Sequence, residues 1–312
     1  MGLLNSHTLL ATPRPTLNNA HSKALSPQSP ASSPGLPALS IAHYKGSPAD
    51  PDGIAEEARR LTRQALESLG GMGRFVSKGN VVWVKPDIGW DRRPEQAATT
   101  NPDVVGTLVE MCYQAGAKKV LVSDNPCNPA RLSFPRSGIQ QAAEKAGAEV
   151  TFLDERKFRK MSIKGKILRE WQVYQDVVEA DRLINVPIAK NHNLCLATLG
   201  MKNLMGVIGG PRNRLHQDLG GTLPDLAAFF KPRLVVLDAI RVLTANGPVG
   251  GNLADVKRKD TVAAGIDQVA VDALGATLLG YKPASIGYIA EGNARGLGAM
   301  DFKSLAPIQI EL

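Results

Sequence analysis

The sequence is poor in cysteine, in aromatic side chains and, at its start, in acidic ones. Three cysteines, Cys112, Cys127 and Cys195, contain no CxxC pair; they cannot build a disulfide framework and are too few for a cysteine-held iron–sulfur cluster. No apolar run approaches the roughly 18 residues of a membrane-spanning helix. The first residues also lack a charged start leading into a continuous apolar stretch, so no secretory signal is expected. From Met1 to Pro37 there is no Asp or Glu, while Pro, Ser and Asn are frequent. Such a segment cannot bury enough apolar surface to offset its ordering entropy. Residues 1–37 are therefore expected to be a disordered tail and residues 38–312 an α/β unit, soluble and cytoplasmic by default.

Aromatic residues make up 5% of a chain that is 43% hydrophobic, so its core is built of Val, Ile, Leu and Ala. That is the usual filling of a parallel sheet covered by helices. The net charge of +8 raises the question of nucleic acid. The basic residues are spread along the chain, however, and the densest run, Arg156 to Arg169, holds Phe158 as its one aromatic. A solvated basic surface explains that better than a nucleic-acid site.

Short β-branched runs alternate with amphipathic stretches. Ile54 to Leu69 has helical spacing and stops at Gly70-Gly71; Asn80 to Val84 reads as a buried strand. A helix from Pro102 to Ala115, capped by Asn101, precedes strand Lys119 to Ser123. Helix Ser137 to Ala146 and strand Glu149 to Leu153 follow, then a polar, basic connection. Arg182 to Val186, Arg233 to Leu237 and Thr261 to Ala264 supply further strands. Helices are expected near Thr222 to Phe230, Gln268 to Leu279 and Ser285 to Ala294. This alternation predicts a mostly parallel sheet with helices on both faces, as one large domain or two interlocked lobes.

In such sheets ligands bind beyond the carboxyl ends of the strands. Five predicted strands end in ionisable residues: Lys85 and Asp87, Asp124, Lys190 and His192, Asp238, and Asp267. Each acid also has a plainer role, since Asp124 and Asp238 suit turns, Asp87 suits the turn after Pro86, and Asp267 suits a helix cap. Lys190-Asn191-His192 is harder to explain away, as is the apolar, glycine-punctuated run Thr198 to Gly210, which encloses Lys202 and Asn203. Lysines in such surroundings bind anions or acquire a lowered pKa suited to proton transfer. His216 follows shortly after. Imidazole and carboxylate together could also hold a divalent metal ion. HExxH, P-loop, GxSxG and GxGxxG patterns are absent, which leaves metalloprotease, NTPase, serine hydrolase and dinucleotide readings without support.

The blocks VVWVKPDIGW, TTNPDVVGTLVEMCYQAGAKKVLVSD, INVPIAKNH, TLGMKNLMGVI and VAAGIDQVAVDALGATLLG resemble the DUF362 family from about Ala38 onward. The most specific pieces are Lys85 to Asp87, Lys190 to His192 and Lys202 to Gly206. Asp87 stands where the family usually has Asn, and Asn191 where it usually has Thr. Many relatives carry ferredoxin-type cysteine clusters or a twin-arginine signal, and this chain has neither. The family fold is loosely similar to the two-lobed, nickel-dependent lactate racemases, a likeness of fold rather than chemistry.

The sequence thus points to an enzyme acting on a small carboxylate- or phosphate-bearing molecule by isomerase, racemase or lyase chemistry. His192 and Lys190, with Asp124 and Asp238, are its catalytic candidates, His192 as proton carrier. Lys85, Asp87, Lys202, Asn203 and His216 are the substrate-binding candidates, the lysines holding the anionic group. The alternatives are an iron–sulfur-linked redox partner and a non-catalytic anion binder.

Overall fold

The computed structural model describes residues 35–46 and 51–312; the tail expected to be disordered lies, up to residue 34, outside them. The chain enters with β1 (Leu39–His43) and α1 (Pro51–Ser68), followed by β2 (Val81–Pro86), α2 (Pro102–Gln114) and β3 (Lys119–Val122). Two short helices, α3 (Ala130–Arg136) and α4 (Ile139–Lys145), lead to β4 (Glu149–Val150). A hairpin of β5 (Phe158–Ser162) and β6 (Glu170–Tyr174) and a short α5 (Gln175–Glu179) come next. Then follow β7 (Arg182–Val186), β8 (Ile188–His192), β9 (Leu196–Thr198) and α6 (Gly200–Asn203). The remainder is α7 (Leu219–Phe230), β10 (Leu234–Leu243), β11 (Val256–Gly265), α8 (Gln268–Leu278), α9 (Gly287–Ala294) and β12 (Ile308–Glu311).

Ten strands form one sheet, ordered β12-β1-β11-β10-β7-β2-β3-β4, with β8 pairing β10 and β9. The run from β10 through β7, β2 and β3 to β4 is parallel throughout. The far edge is mixed, because β11 lies antiparallel to both β1 and β10. Side chains alternate between two cores. Val82 and Val84, Ile184 and Val186, and Leu234 and Val236 pack toward α1, α2 and α4. Trp83, Leu183, Val235 and Leu237 pack toward α7, α8 and α9. Each such fully buried side chain contributes about 1.5–3 kcal/mol, and helices cover both faces for that reason.

Local sequence explains several boundaries. Ile54, Ala58, Leu61 and Ala65 put one stripe of α1 into the core. Asn101 caps α2, its side chain accepting from Asp103 N at 2.8 Å, with Pro102 as first helical residue. Asp267 caps α8 by accepting from Ala270 N at 2.9 Å. Other expectations change. The helix expected from Ser137 to Ala146 begins only after Gly138, at φ 72, as α4, and a further short helix, α3, precedes it. The polar connection contains the β5–β6 hairpin, held down by Phe158, Met161, Trp171, Val173 and Tyr174. The residues after Pro187, read only as lying beyond the end of strand Arg182 to Val186, form strand β8, whose Lys190 pairs with Thr198 and His192 with Leu196.

β3 and β7 flank β2 on opposite sides. After β2 the chain winds outward through β3 to β4, then returns to add β7 on the other side. The carboxyl end of β2 is therefore the topological switch point, where loops part and leave a crevice.

Candidate functional site

The three separated lysine-bearing segments meet at that switch point. Lys85, near the end of β2, is 1% exposed and its ammonium has three acceptors. These are Asp124 Oδ1 at 2.8 Å, Asn203 Oδ1 at 2.5 Å and Pro86 O at 2.8 Å. Asp124, just past β3, also accepts from Ile88 N at 2.6 Å and Asn125 N at 2.8 Å. Burial lifts its carboxyl, with Lys85 pulling the other way. Asn203 returns a bond to Lys85 O at 3.2 Å and donates to Asn185 Oδ1 at 2.8 Å.

A second ion pair lies beside the first. Lys190 Nζ contacts Asp87 Oδ2 at 2.9 Å and Ala98 O at 2.6 Å, and both side chains are buried. Burial opposes the charged form of Asp87, but Lys190 and Lys85 outweigh it and hold the carboxyl below its usual range. Gly206 lies directly over the first pair, where a Cβ would overlap Asp124 Oδ1 and the end of Lys85. Gly206 O also accepts from Asn125 N at 2.8 Å. Arg212 ties this loop down from outside, donating to Asn125 O at 2.7 Å and Met205 O at 3.2 Å.

Lys202 differs from both. It is 9% exposed, and its Nζ meets only the Met205 sulfur, at 3.7 Å. No carboxylate pairs with it among the described residues. Burial lowers its pKa, and Lys190 lowers it further, while Cys195 and Asp87 act against this. Close by, the rings of His192 and His216 stack with centroids 6.1 Å apart. His192 is buried, and burial followed by Lys202, His216 and Lys190 holds its pKa at about 3. Its Nδ1 accepts from Leu194 N at 3.1 Å, so the neutral ring carries its proton on Nε2. His216 is lowered for the same leading reasons, burial and then Lys202. Thr198, the register partner of Lys190, keeps a buried hydroxyl with no hydrogen-bond partner among the described residues, and so does Thr99.

Asp238 is placed differently from the other candidates. Its two oxygens accept from Asn101 N at 2.7 Å and Ile240 N at 3.0 Å, and burial raises its pKa to about 6. It anchors the start of α2, and neither His192 nor Lys190 bonds to it. Two buried residues that sequence reading passed over support the cluster. Asn185 passes the Asn203 bond on to Gly200 O at 2.8 Å. Asp272, wholly buried, accepts from Gly200 N at 2.6 Å and Met201 N at 2.9 Å, which fixes the short helix carrying Lys202. Both had a readable signal: a lone polar residue inside an apolar strand or helix requires a buried partner.

Among the described residues no three His, Cys, Asp or Glu side chains are grouped closely enough to hold a metal ion. No helix of the described residues is long and apolar enough to cross a membrane. Two open clefts lie along the loop that follows Asp87. One of about 530 Å³ is bordered by Arg92, Arg93 and Arg136, and a neighbour of about 250 Å³ by Trp90 and Leu132.

A mostly parallel α/β sheet with paired and unpaired lysines at its switch point defines the class. The chain belongs to the DUF362 family, described as a domain of unknown function, whose family model matches residues 82–277. The thylakoid-associated protein sll1697 of Synechocystis is 28% identical over 243 residues, covering 75% of this chain and 74% of that protein. The lactate racemase apoprotein of Thermoanaerobacterium thermosaccharolyticum aligns with a TM-score of 0.45 at 13% identity. That alignment covers 76% of this chain, which spans 56% of the racemase's length.

Proposed function

We propose that this protein binds a small carboxylate- or phosphate-bearing molecule beside Lys202 and transfers a proton on it. The observation that carries this reading is the contrast in pairing: Lys85 and Lys190 each have a carboxylate, and buried Lys202 has none. An uncompensated ammonium in such a place costs several kcal/mol, so the amine is driven toward its neutral form. A bound anion supplies the missing charge, so that when the neutral amine takes a proton from the substrate carbon the ammonium formed is paired with the anionic group and the carbon is left as a carbanion. Lys202 thereby becomes the proton acceptor, a role the residue pattern alone assigned to His192. His192 is held neutral with Nε2–H available, which suits a hydrogen-bond donor to developing negative charge. The unspent hydroxyl of Thr198 adds a second donor on the Lys190 side. Proton transfer without a nucleophile fits isomerase, racemase or lyase chemistry.

The test uses acetate and inorganic phosphate with wild type and Lys202→Met. Wild type should gain thermal stability from at least one anion, and Lys202→Met should gain less. Equal anion shifts in both proteins would refute the reading. Incubating a binding carboxylate in deuterated water then separates turnover from binding. Deuterium at the carbon beside the carboxylate supports proton transfer; an anion that binds but returns unlabelled reduces the site to a binder.

A further inference from the structure

The arginine-bordered cleft is built by three loops from different strand ends. Residues 90–96 follow β2, residues 127–136 follow β3, and residues 249–253 follow β10. At about 530 Å³ it lies within the range of small-molecule sites, which is roughly 300–1,000 Å³. Arg92 is oriented by its Nε bond to Val249 O at 3.2 Å and its Nη1 bond to Asp91 O at 3.0 Å. These are backbone carbonyls, so its charge is not cancelled. Arg136 is engaged by Asp91, Nε to Oδ1 at 3.3 Å, and Arg93 is exposed. Three arginines against Asp91 and Glu95 leave a lining of net +1 (3 − 2). That balance suits a single negative charge better than a polyanion.

The walls also carry apolar side chains. Leu253 is 60% exposed and Leu132 is 47% exposed. Leu253 lines the larger cleft, and Leu132 with Trp90 lines the smaller one, which shares Asp91 and Arg92 with it. A ligand along both needs an apolar body as well as an anionic end. An arginine fork matches a carboxylate in plane, with two parallel hydrogen bonds.

We propose that this cleft is a second small-molecule site, distinct from Lys202, for a monocarboxylate carrying an apolar or aromatic body. It does not depend on the proton-transfer reading. The probes are phenylacetate and acetate, followed by ligand-detected NMR titration on the full chain. Phenylacetate should bind and acetate, lacking the apolar body, should bind much more weakly at this site. Arg93→Gln and Leu253→Ser, both exposed positions that leave the core intact, should each weaken phenylacetate by about tenfold, the loss expected for one charged hydrogen bond or one apolar contact. Lys202→Met should leave phenylacetate binding unchanged. The proposal is overturned if no phenylacetate binds, if the two probes bind alike, or if binding survives Arg93→Gln and Leu253→Ser but is lost in Lys202→Met. Equal acetate and phosphate shifts in wild type and Lys202→Met, with phenylacetate binding retained, would fail the first reading alone.

Discussion

Lys85 and Lys202 are buried lysines on the same rim, joined through neighbouring residues of one short helix, yet their surroundings are opposite. Lys85 meets a carboxylate, an amide oxygen and a carbonyl. Lys202 meets a thioether. A saturated ammonium is a structural joint: it ties β2 to the loop after β3 and to α6, and its removal strands a buried Asp124. An unsaturated one is a standing cost of folding that a ligand can relieve. The comparison separates the part of the rim that holds shape from the part that is available for chemistry.

The largest effect should come from breaking the joint. Lys85→Met leaves the buried Asp124 without its counterion and should destabilise the protein by about 3–5 kcal/mol in denaturant titration. A loss below the size of a surface substitution would mean that the pair is no joint at all. Gly206→Ala should cost about 1–3 kcal/mol by overpacking, since the new methyl overlaps Asp124 and Lys85. Lys202→Met should act in the opposite direction, raising the stability of the ligand-free protein by about 1–2 kcal/mol, because it removes a buried amine that has no partner. Destabilisation by Lys202→Met would erase the contrast between the two lysines.

A pH series sharpens the same contrast. The pKa of His192 falls from the ordinary 6.5 to about 3 on folding, so the folded state binds fewer protons there than the unfolded chain. The stability associated with its neutral form is intact above pH 6.5 and is lost as pH falls toward 3. Wild type should therefore lose stability relative to His192→Gln as pH is lowered through that window, with the remaining carboxylates common to both proteins. A constant difference between them would show that the ring is not held neutral. The smallest effect belongs to the exposed Lys160–Glu170 pair on the β5–β6 hairpin, with side chains 71% and 53% exposed. Lys160→Ala should change stability by no more than about 0.5 kcal/mol.

Much of the frame was readable in one dimension. Arg182 to Val186 is a strand with the boundaries its residues suggest, and Asn101, Pro102 and Asp267 mark helix starts as their chemistry requires. Strands β1 and β12 and the β8–β9 pair were not legible, because short segments gain their hydrogen bonds from partners far along the chain. Pro187 also hid β8, since proline reads as a stop, yet here its carbonyl accepts from Asp238 N at 2.9 Å. The lysine motifs stood out from their apolar neighbours, but their inequality did not. Asp124, one of the catalytic candidates read from the sequence, pairs with Lys85.

Local periodicity, capping residues and apolar strand runs determined the α/β alternation, and with it the rule that ionisable strand ends gather on one rim. Those are properties of neighbours a few residues apart. Which lysine found a carboxylate was decided only when β2, β3, β8 and α6 came together. Charge pairing depends on distances of about 3 Å between groups scores of residues apart, and low-dielectric burial then magnifies the difference between a cation with a partner and a cation without one.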